Sequence, residues 1–249
     1  MVKICIRSKS CKNDHLLSDP VIARYLPHTL PMNLVNLQLM LNRYPIIYLK
    51  PDVGSLGYGI YRIDRIASNE FCLRKEGATI VKGPSGEIGQ AVTRLCSKKP
   101  YLLQQGIESV THKGLPFDVR VHVQRVNGSW LYGGSVGKLG RKKSIITNRH
   151  RGGLPISIQS LFSNHLKGDP HQQKILLNDI KNIAIRIARV MEKHFPRRPE
   201  YGLDIGIDKK QFWVYEVNTS PGIMVFAKLS DRGPIKRILS LRKKNLILR

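Results

Sequence analysis

Residues 201–222, from Tyr201 to Gly222, read YGLDIGIDKKQFWVYEVNTSPG. Residues 203–208 and 212–218 alternate apolar with polar or small side chains, the period-two pattern of half-buried strands. A three-residue loop, Lys209-Lys210-Gln211, would pair Asp208 with Phe212 and set Asp204 directly opposite Glu216. Residues two apart on a strand share a face, so Asn218 joins them. Two carboxylates and an amide oxygen converge with no His or Cys beside them. That makes a hard-cation site, suited to Mg²⁺ holding phosphate oxygens rather than to zinc. The plain alternative, opposed acidic side chains that are simply solvated, fits this stretch alone as well.

Upstream, residues 46–50 (IIYLK) read as a strand, 51–59 (PDVGSLGYG) as a loop and 60–63 as a returning strand. Gly54, Ser55, Gly57 and Gly59 free backbone N–H groups to surround an anion. Lys50 at the base of the loop places a point charge against the same phosphates. Dinucleotide and Walker loops run from a strand into a helix, whereas this one returns into a strand. An ordinary Gly-rich turn is the alternative. Before it, Thr29 reads as a helix cap and Pro31 as a first-turn residue, with Leu34, Leu37 and Leu41 at helical spacing until Tyr44-Pro45 ends the helix.

Residues 69–83 read as a two-strand meander with Phe71, Leu73, Ile80 and Val81 in the core. Residues 86–99 follow as a helix with Ile88, Val92 and Leu95 inward, and 101–107 as a strand entering a Gly-containing linker. Residues 117–126 set Val119, Val121 and Val123 on one face and Asp118, Arg120, His122 and Gln124 on the other, and 130–136 is the next strand of that sheet. Asn148-Arg149-His150-Arg151-Gly152-Gly153 is a basic, Gly-rich loop able to hold an anion or to stand solvated. Asp169-Pro170 opens the clearest helix, whose Leu176, Ile180, Ile183, Ala184, Ile187, Val190 and Met191 form one apolar stripe. Gly233-Pro234 precedes a short basic helix.

The 249 residues suffice for one large domain or two smaller ones. Hydrophobic content of 41% and charged content of 24% are those of a soluble globular protein. Charge is unusual: 42 Lys+Arg against 17 Asp+Glu give +25 and favour anionic partners. The basic residues spread along the chain, denser in Arg237 to Arg249, which argues less for a dedicated DNA-reading element than a single basic stripe would. Cys5, Cys11, Cys72 and Cys96 show no C-x-x-C spacing, so reduced thiols in an intracellular, cytoplasmic protein are expected. The start lacks the apolar run of a signal peptide, and no run approaches the ~20 residues of a membrane span.

In this order, YLKPDVGSLGYGI, YLLQQGI, FDVRVHVQ, ITNRHRGG and LDIGID…WVYEVNTSPG resemble the ATP-grasp superfamily, from about Leu30 to Lys228. The form is similar to the YheC/YheD-like, spore-coat-associated ATP-grasp proteins. NRHRGG and EVNTSPG also resemble the ribosomal-protein glutamate ligases. The resemblance implies an α+β fold with ATP held between a small lid subdomain and a larger antiparallel-sheet core. It implies a short N-terminal segment and helix in residues 1–45, the lid in 46–107, and the core with its metal site in 108–249.

Roles follow from the resemblance, position by position. Lys50 would bind ATP phosphates, with the loop carrying Gly54, Ser55, Gly57 and Gly59 closing over them. Gln105, Gly106 and Ile107, with Gln104 adjacent, would be the hinge that bonds adenine, mostly through backbone. Asp118 would lie near the ribose. Arg120, Lys138 and Asn148 would surround the phosphates and reacting carboxylate, and Asp204, Glu216 and Asn218 would hold Mg²⁺. The implied activity is an ATP- and Mg²⁺-dependent ligase that activates a carboxylate as an acyl phosphate for attack by an amine or similar nucleophile.

Lys138 stands where an Arg is usual, keeping charge but losing the fork geometry. Only 49 residues precede Lys50, where such enzymes usually carry a full α/β domain. A shortened N-terminal region is therefore expected. The alternative is a basic, catalytically degenerate, spore-associated scaffold that binds ATP, a polymer or nucleic acid. Expected partners are ATP, a carboxylate and an amine, with an acidic polymer or polypeptide among the candidates and nucleic acid not favoured.

Overall fold

A computed structural model describes residues 5–54, 57–76, 78–142, 144–145, 147, 153–209 and 211–246. In chain order the first elements are helix α1 (Lys9–Leu17), helix α2 (Pro20–Ala23), strand β1 (Thr29–Pro31), helix α3 (Leu34–Arg43) and strands β2 (Ile46–Pro51), β3 (Tyr61–Ala67), β4 (Glu70–Lys75) and β5 (Ala78–Gly83). Helix α4 (Ser85–Cys96) and strands β6 (Tyr101–Gln105), β7 (Phe117–Val126), β8 (Ser129–Leu139) and β9 (Leu154–Ile156) follow. Then come the short helix α5 (Ile158–Ser160), helix α6 (Pro170–His194), strands β10 (Glu200–Asp208) and β11 (Gln211–Asn218), and helix α7 (Gly233–Leu246). The chain divides into two compact units; unit 1 draws its described residues from 5–11, 27–107 and 144–145, and unit 2 from 12–26, 108–142 and 147–246.

Unit 1 is an antiparallel six-stranded sheet, ordered β1-β6-β2-β3-β4-β5. Leu37, Met40 and Leu41 of α3 and Ile88 and Val92 of α4 pack with Leu49, Ile63, Leu73 and Leu103 of the strands in one core. Thr29 caps no helix. The Thr29–Pro31 segment is an edge strand, with Thr29 opposite Gln104 and Pro31 opposite Leu102. A proline is tolerated at such an edge, and the helix starts later, where the Asn33 side chain accepts the Asn36 N–H at 2.7 Å. Of the pair Ile80 and Val81, only Val81 packs on the core, while Ile80 is 42% exposed. Neighbours on a strand point to opposite sides, so both do not face inward. Cys5 and Cys11 are joined by a disulfide, contrary to the expected free thiols; their Cα atoms stand 5.4 Å apart, within bonding range. Cys72 and Cys96 are free, and burial pushes the Cys96 thiol up to about 11.

Unit 2 is an antiparallel five-stranded sheet, ordered β11-β10-β7-β8-β9. The α6 stripe buries Ile180, Ile183, Ala184, Ile187 and Met191, as its spacing requires, and Val119, Val121, Val123, Leu203 and Ile205 of the sheet are buried too. Glu192 of α6 accepts the Trp130 indole N–H at 2.7 Å, and the Trp130 ring stacks on Tyr201. Helix α7 lies against β7 and β8, with Ile235 and Ile238 packed on Val136 and Phe226. Residues 12–26 cover the outer edge of β11. The Val214 N–H donates to the Tyr25 carbonyl at 2.7 Å, Tyr25 stacks on Phe212 at 4.3 Å, and Lys12 Nζ donates to the Val217 carbonyl at 2.7 Å. Arg186 Nε fixes the same segment through both Asp19 oxygens, at 3.0 and 2.8 Å. An edge so covered has few backbone groups left for another strand. Among the described residues no helix is long and apolar enough to cross a membrane.

Candidate functional site

The β10–β11 hairpin sets Asp204 opposite Glu216, but by another route than the sequence suggests. The turn is one residue tighter, pairing Asp208 with Gln211 and Ile207 with Phe212. A bulge at Tyr215 then inserts the missing residue between the Ile205–Val214 and Asp204–Glu216 pairs. Gly206 makes room for the Tyr215 ring, because a Cβ there would collide with the phenol. Gly202 does the same for Pro221, whose Cβ would lie 2.6 Å from an added methyl.

Across β10 lies β7, with Arg120 opposite Asp204, and beyond it β8, with Lys138 opposite Asp118. The shared face gathers a charge network around Asp204. Arg120 grips both its oxygens, Nε to Oδ1 and Nη2 to Oδ2, each at 2.9 Å. Lys138 Nζ donates to Oδ1 at 2.9 Å and Asn218 Nδ2 to Oδ2 at 3.0 Å. Lys138 also lies 2.7 Å from Asp118 Oδ1, an ion pair by distance although outside hydrogen-bond geometry. The Thr147 hydroxyl donates to the other Asp118 oxygen.

Burial alone would raise the Asp204 carboxyl, but Arg120 and Lys138 outweigh it and hold the group well below the usual carboxylate range. Burial pushes the Asp118 carboxyl up, with Lys138 opposing and Asp204 adding to the rise. Burial would lower the Lys138 ammonium, and the two carboxylates more than reverse that. Two cations and two anions thus neutralise one another in a place that water reaches only in part.

Asp204, Glu216 and Asn218 are hard donors on one face, and that chemistry suits Mg²⁺. The arrangement adds a condition. Asp204 already accepts four N–H bonds, the capacity of a carboxylate, and Asn218 turns its amide nitrogen toward it, an orientation assigned from the network. A cation held at Asp204 would have to replace some of these donors, and Asn218 would offer its oxygen only with its amide turned.

A second, partly buried network lies on the same strands, unforeseen from the sequence. Glu200 accepts from Arg242 at 2.6 and 2.9 Å and meets His122 Nε2 at 3.2 Å. His122 is fully buried, and burial lowers its imidazole, although Glu200 opposes the shift. This network fastens α7 to the sheet. The alternation of β7 placed His122 on the polar face, but nothing local announced Glu200 or Arg242 as its partners.

In unit 1, Lys50 and Gln104 meet: Lys50 Nζ donates to Gln104 Oε1, and Gln104 Nε2 donates to Thr29 Oγ1 at 3.1 Å. Two hinge amides are already committed, Gln105 N–H to the His28 carbonyl and Gly106 N–H to the Ile46 carbonyl, both at 2.8 Å. Ile107 offers the next N–H, which has no acceptor among the described residues. Gly106 has no room for a side chain against Ile46. Gly57 and Gly59 take positive φ, 77° and 73°, which a side chain would strain, and Gly54 lies by Pro51. Ser55 and Asn148 lie outside the described residues.

Comparison with known proteins agrees with this architecture. The chain is 26% identical over 222 residues to the endospore coat-associated protein YheD of Bacillus subtilis (strain 168), covering 85% of this chain and 48% of that one. It therefore spans about half the length of that relative. Among solved structures, D-cycloserine synthetase DcsG superposes with a TM-score of 0.58 at 12% identity, over 96% of this chain and 70% of that one. D-alanyl-alanine synthetase A from Vibrio cholerae gives 0.57 at 12%, over 96% and 61%. Likeness at such identity speaks for the fold, which is α+β and ATP-grasp. Residues 3–243 match the family described as YheC/D like ATP-grasp, and the chain belongs to that family.

Proposed function

We propose that the chain is an ATP- and Mg²⁺-dependent ligase of ATP-grasp type, joining a carboxylate to an amine or similar nucleophile. The Asp204 cluster carries the reading: two cations, the half-buried Arg120 and the buried Lys138, stand on the strand face that bears Asp204, Glu216 and Asn218. Bound Mg²⁺ would neutralise phosphate oxygens there, held by Asp204, Glu216 and Asn218. Lys50, Gly54, Ser55, Gly57 and Gly59 are the proposed phosphate-binding residues of unit 1, and Gln104, Gln105, Gly106 and Ile107 the adenine-binding ones. The substrate carboxylate attacks the γ-phosphorus and ADP departs; the amine then attacks the acyl carbon and phosphate leaves. Arg120, Lys138 and Asn148 hold the charge that builds on the transferring group.

The +25 charge favours an acidic polypeptide or polymer as one substrate, and the coat-associated relative favours a spore-associated location. ADP release from ATP, measured across pairs of acids and amines, tests the reading. Release with one pair, lost in Arg120→Ala, supports it, and no release with any pair counts against it. The same charge favours a second reading, a polyanion-binding scaffold. Lys50→Ala separates the two, since one charge in 42 hardly alters a scaffold but should abolish nucleotide binding.

A further inference from the structure

We propose that Asp118 is the positioning residue of Lys138 rather than a ribose ligand, an inference that rests on the ligase reading. Both its oxygens are engaged inside unit 2, Oδ1 by Lys138 at 2.7 Å and Oδ2 by the Thr147 hydroxyl. Asp118 is only 6% exposed, which leaves no open oxygen for a sugar hydroxyl. Lys138, 5% exposed, is shared by two carboxylates, Asp118 and Asp204. They differ in what else they hold. Asp204 also carries Arg120 and Asn218 and lies among the proposed cation ligands, so a cation there would compete with Lys138 for it. Among the described residues Asp118 is held by Lys138 and Thr147 alone, and it stays behind. It then keeps the ammonium in place and balanced in a poorly solvated position, aimed at phosphate oxygens. A lysine needs such an anchor more than the arginine usual here. Its flexible stem carries one compact charge and lacks the planar fork that fixes a guanidinium.

The test compares ATP with adenosine, which has the ribose but no phosphate, by calorimetry on the full chain with Mg²⁺. If Asp118 positions Lys138, Asp118→Asn weakens ATP at least about tenfold and leaves adenosine within about twofold. Added to Lys138→Met, it then weakens ATP no further, because the group it positions is gone. Thr147→Val, which keeps every charge and frees one Asp118 oxygen, shifts ATP affinity the same way by less, and it serves if Asp118→Asn does not fold. Equal losses of ATP and adenosine in either Asp118→Asn or Thr147→Val, or full additivity with Lys138→Met, overturn the proposal in favour of a sugar contact. A wild-type chain that binds neither ligand overturns the ligase reading itself and this inference with it.

Discussion

Asp204→Asn probes the centre of the network. The substitution keeps shape and removes one negative charge that four N–H groups share. Lys138 keeps Asp118 at 2.7 Å, so its loss is partial. Arg120 loses both its 2.9 Å bonds to a carboxylate and keeps only the field of its neighbours, Asp118 and Glu216 among them. Breaking a buried pair from one side costs about 3–5 kcal/mol. The Asp204 and Arg120 side chains are 16% and 15% exposed, so some water reaches them, and the lower end, about 3 kcal/mol, is expected. Urea unfolding of both proteins from pH 7 to pH 3 measures it.

The sign with pH follows from the depressed Asp204 carboxyl. Its contribution is fully present above the unfolded value, about 4, and is lost as pH falls through the still lower folded value. The gap between wild type and variant should therefore stay level from pH 7 to about 5 and narrow only in more acid solution. A variant within about 1 kcal/mol of wild type at pH 7, or a gap that narrows already near neutrality, would refute this reasoning.

Gly206→Ala should destabilise unit 2 by roughly 1–3 kcal/mol through collision with the Tyr215 ring. In Tyr215→Ala background the cost should fall well below that, as a double-mutant cycle of unfolding energies will show. Arg242→Met removes two bonds to Glu200 at a partly exposed position, and about 1 kcal/mol is expected. Amide exchange in the C-terminal half of α7 should quicken several-fold, with little change in β11.

Much of the fold was legible because its signals are local. The alternation of residues 117–126 and the stripe from Ile180 to Met191 each follow from one element's own period, and the structure buries the predicted faces. The hairpin was legible in outcome and not in path. Asp204 faces Glu216, but the tighter turn and the Tyr215 bulge depend on how that ring fits over Gly206, which no strand pattern encodes. Thr29–Pro31 misled because TLP before an apolar run looks like a helix start until β6 offers an edge. Residues 12–26 carry no period, and their place along β11 comes from single long-range contacts such as Lys12 to Val217. The Asp118–Lys138–Thr147 chain was hidden for the same reason. Its members come from two strands and a loop, and only the β7–β8 register brings the first two together.

Titration of ATP into the wild-type chain and into Glu216→Ala, each with Mg²⁺ and with a chelator, tests most directly whether the hairpin is a metal–triphosphate site. Wild type should bind ATP at least about tenfold more tightly with Mg²⁺, and Glu216→Ala should lose that difference while still folding. ATP binding that ignores Mg²⁺ in wild type, or an undiminished Mg²⁺ effect in Glu216→Ala, would contradict the account.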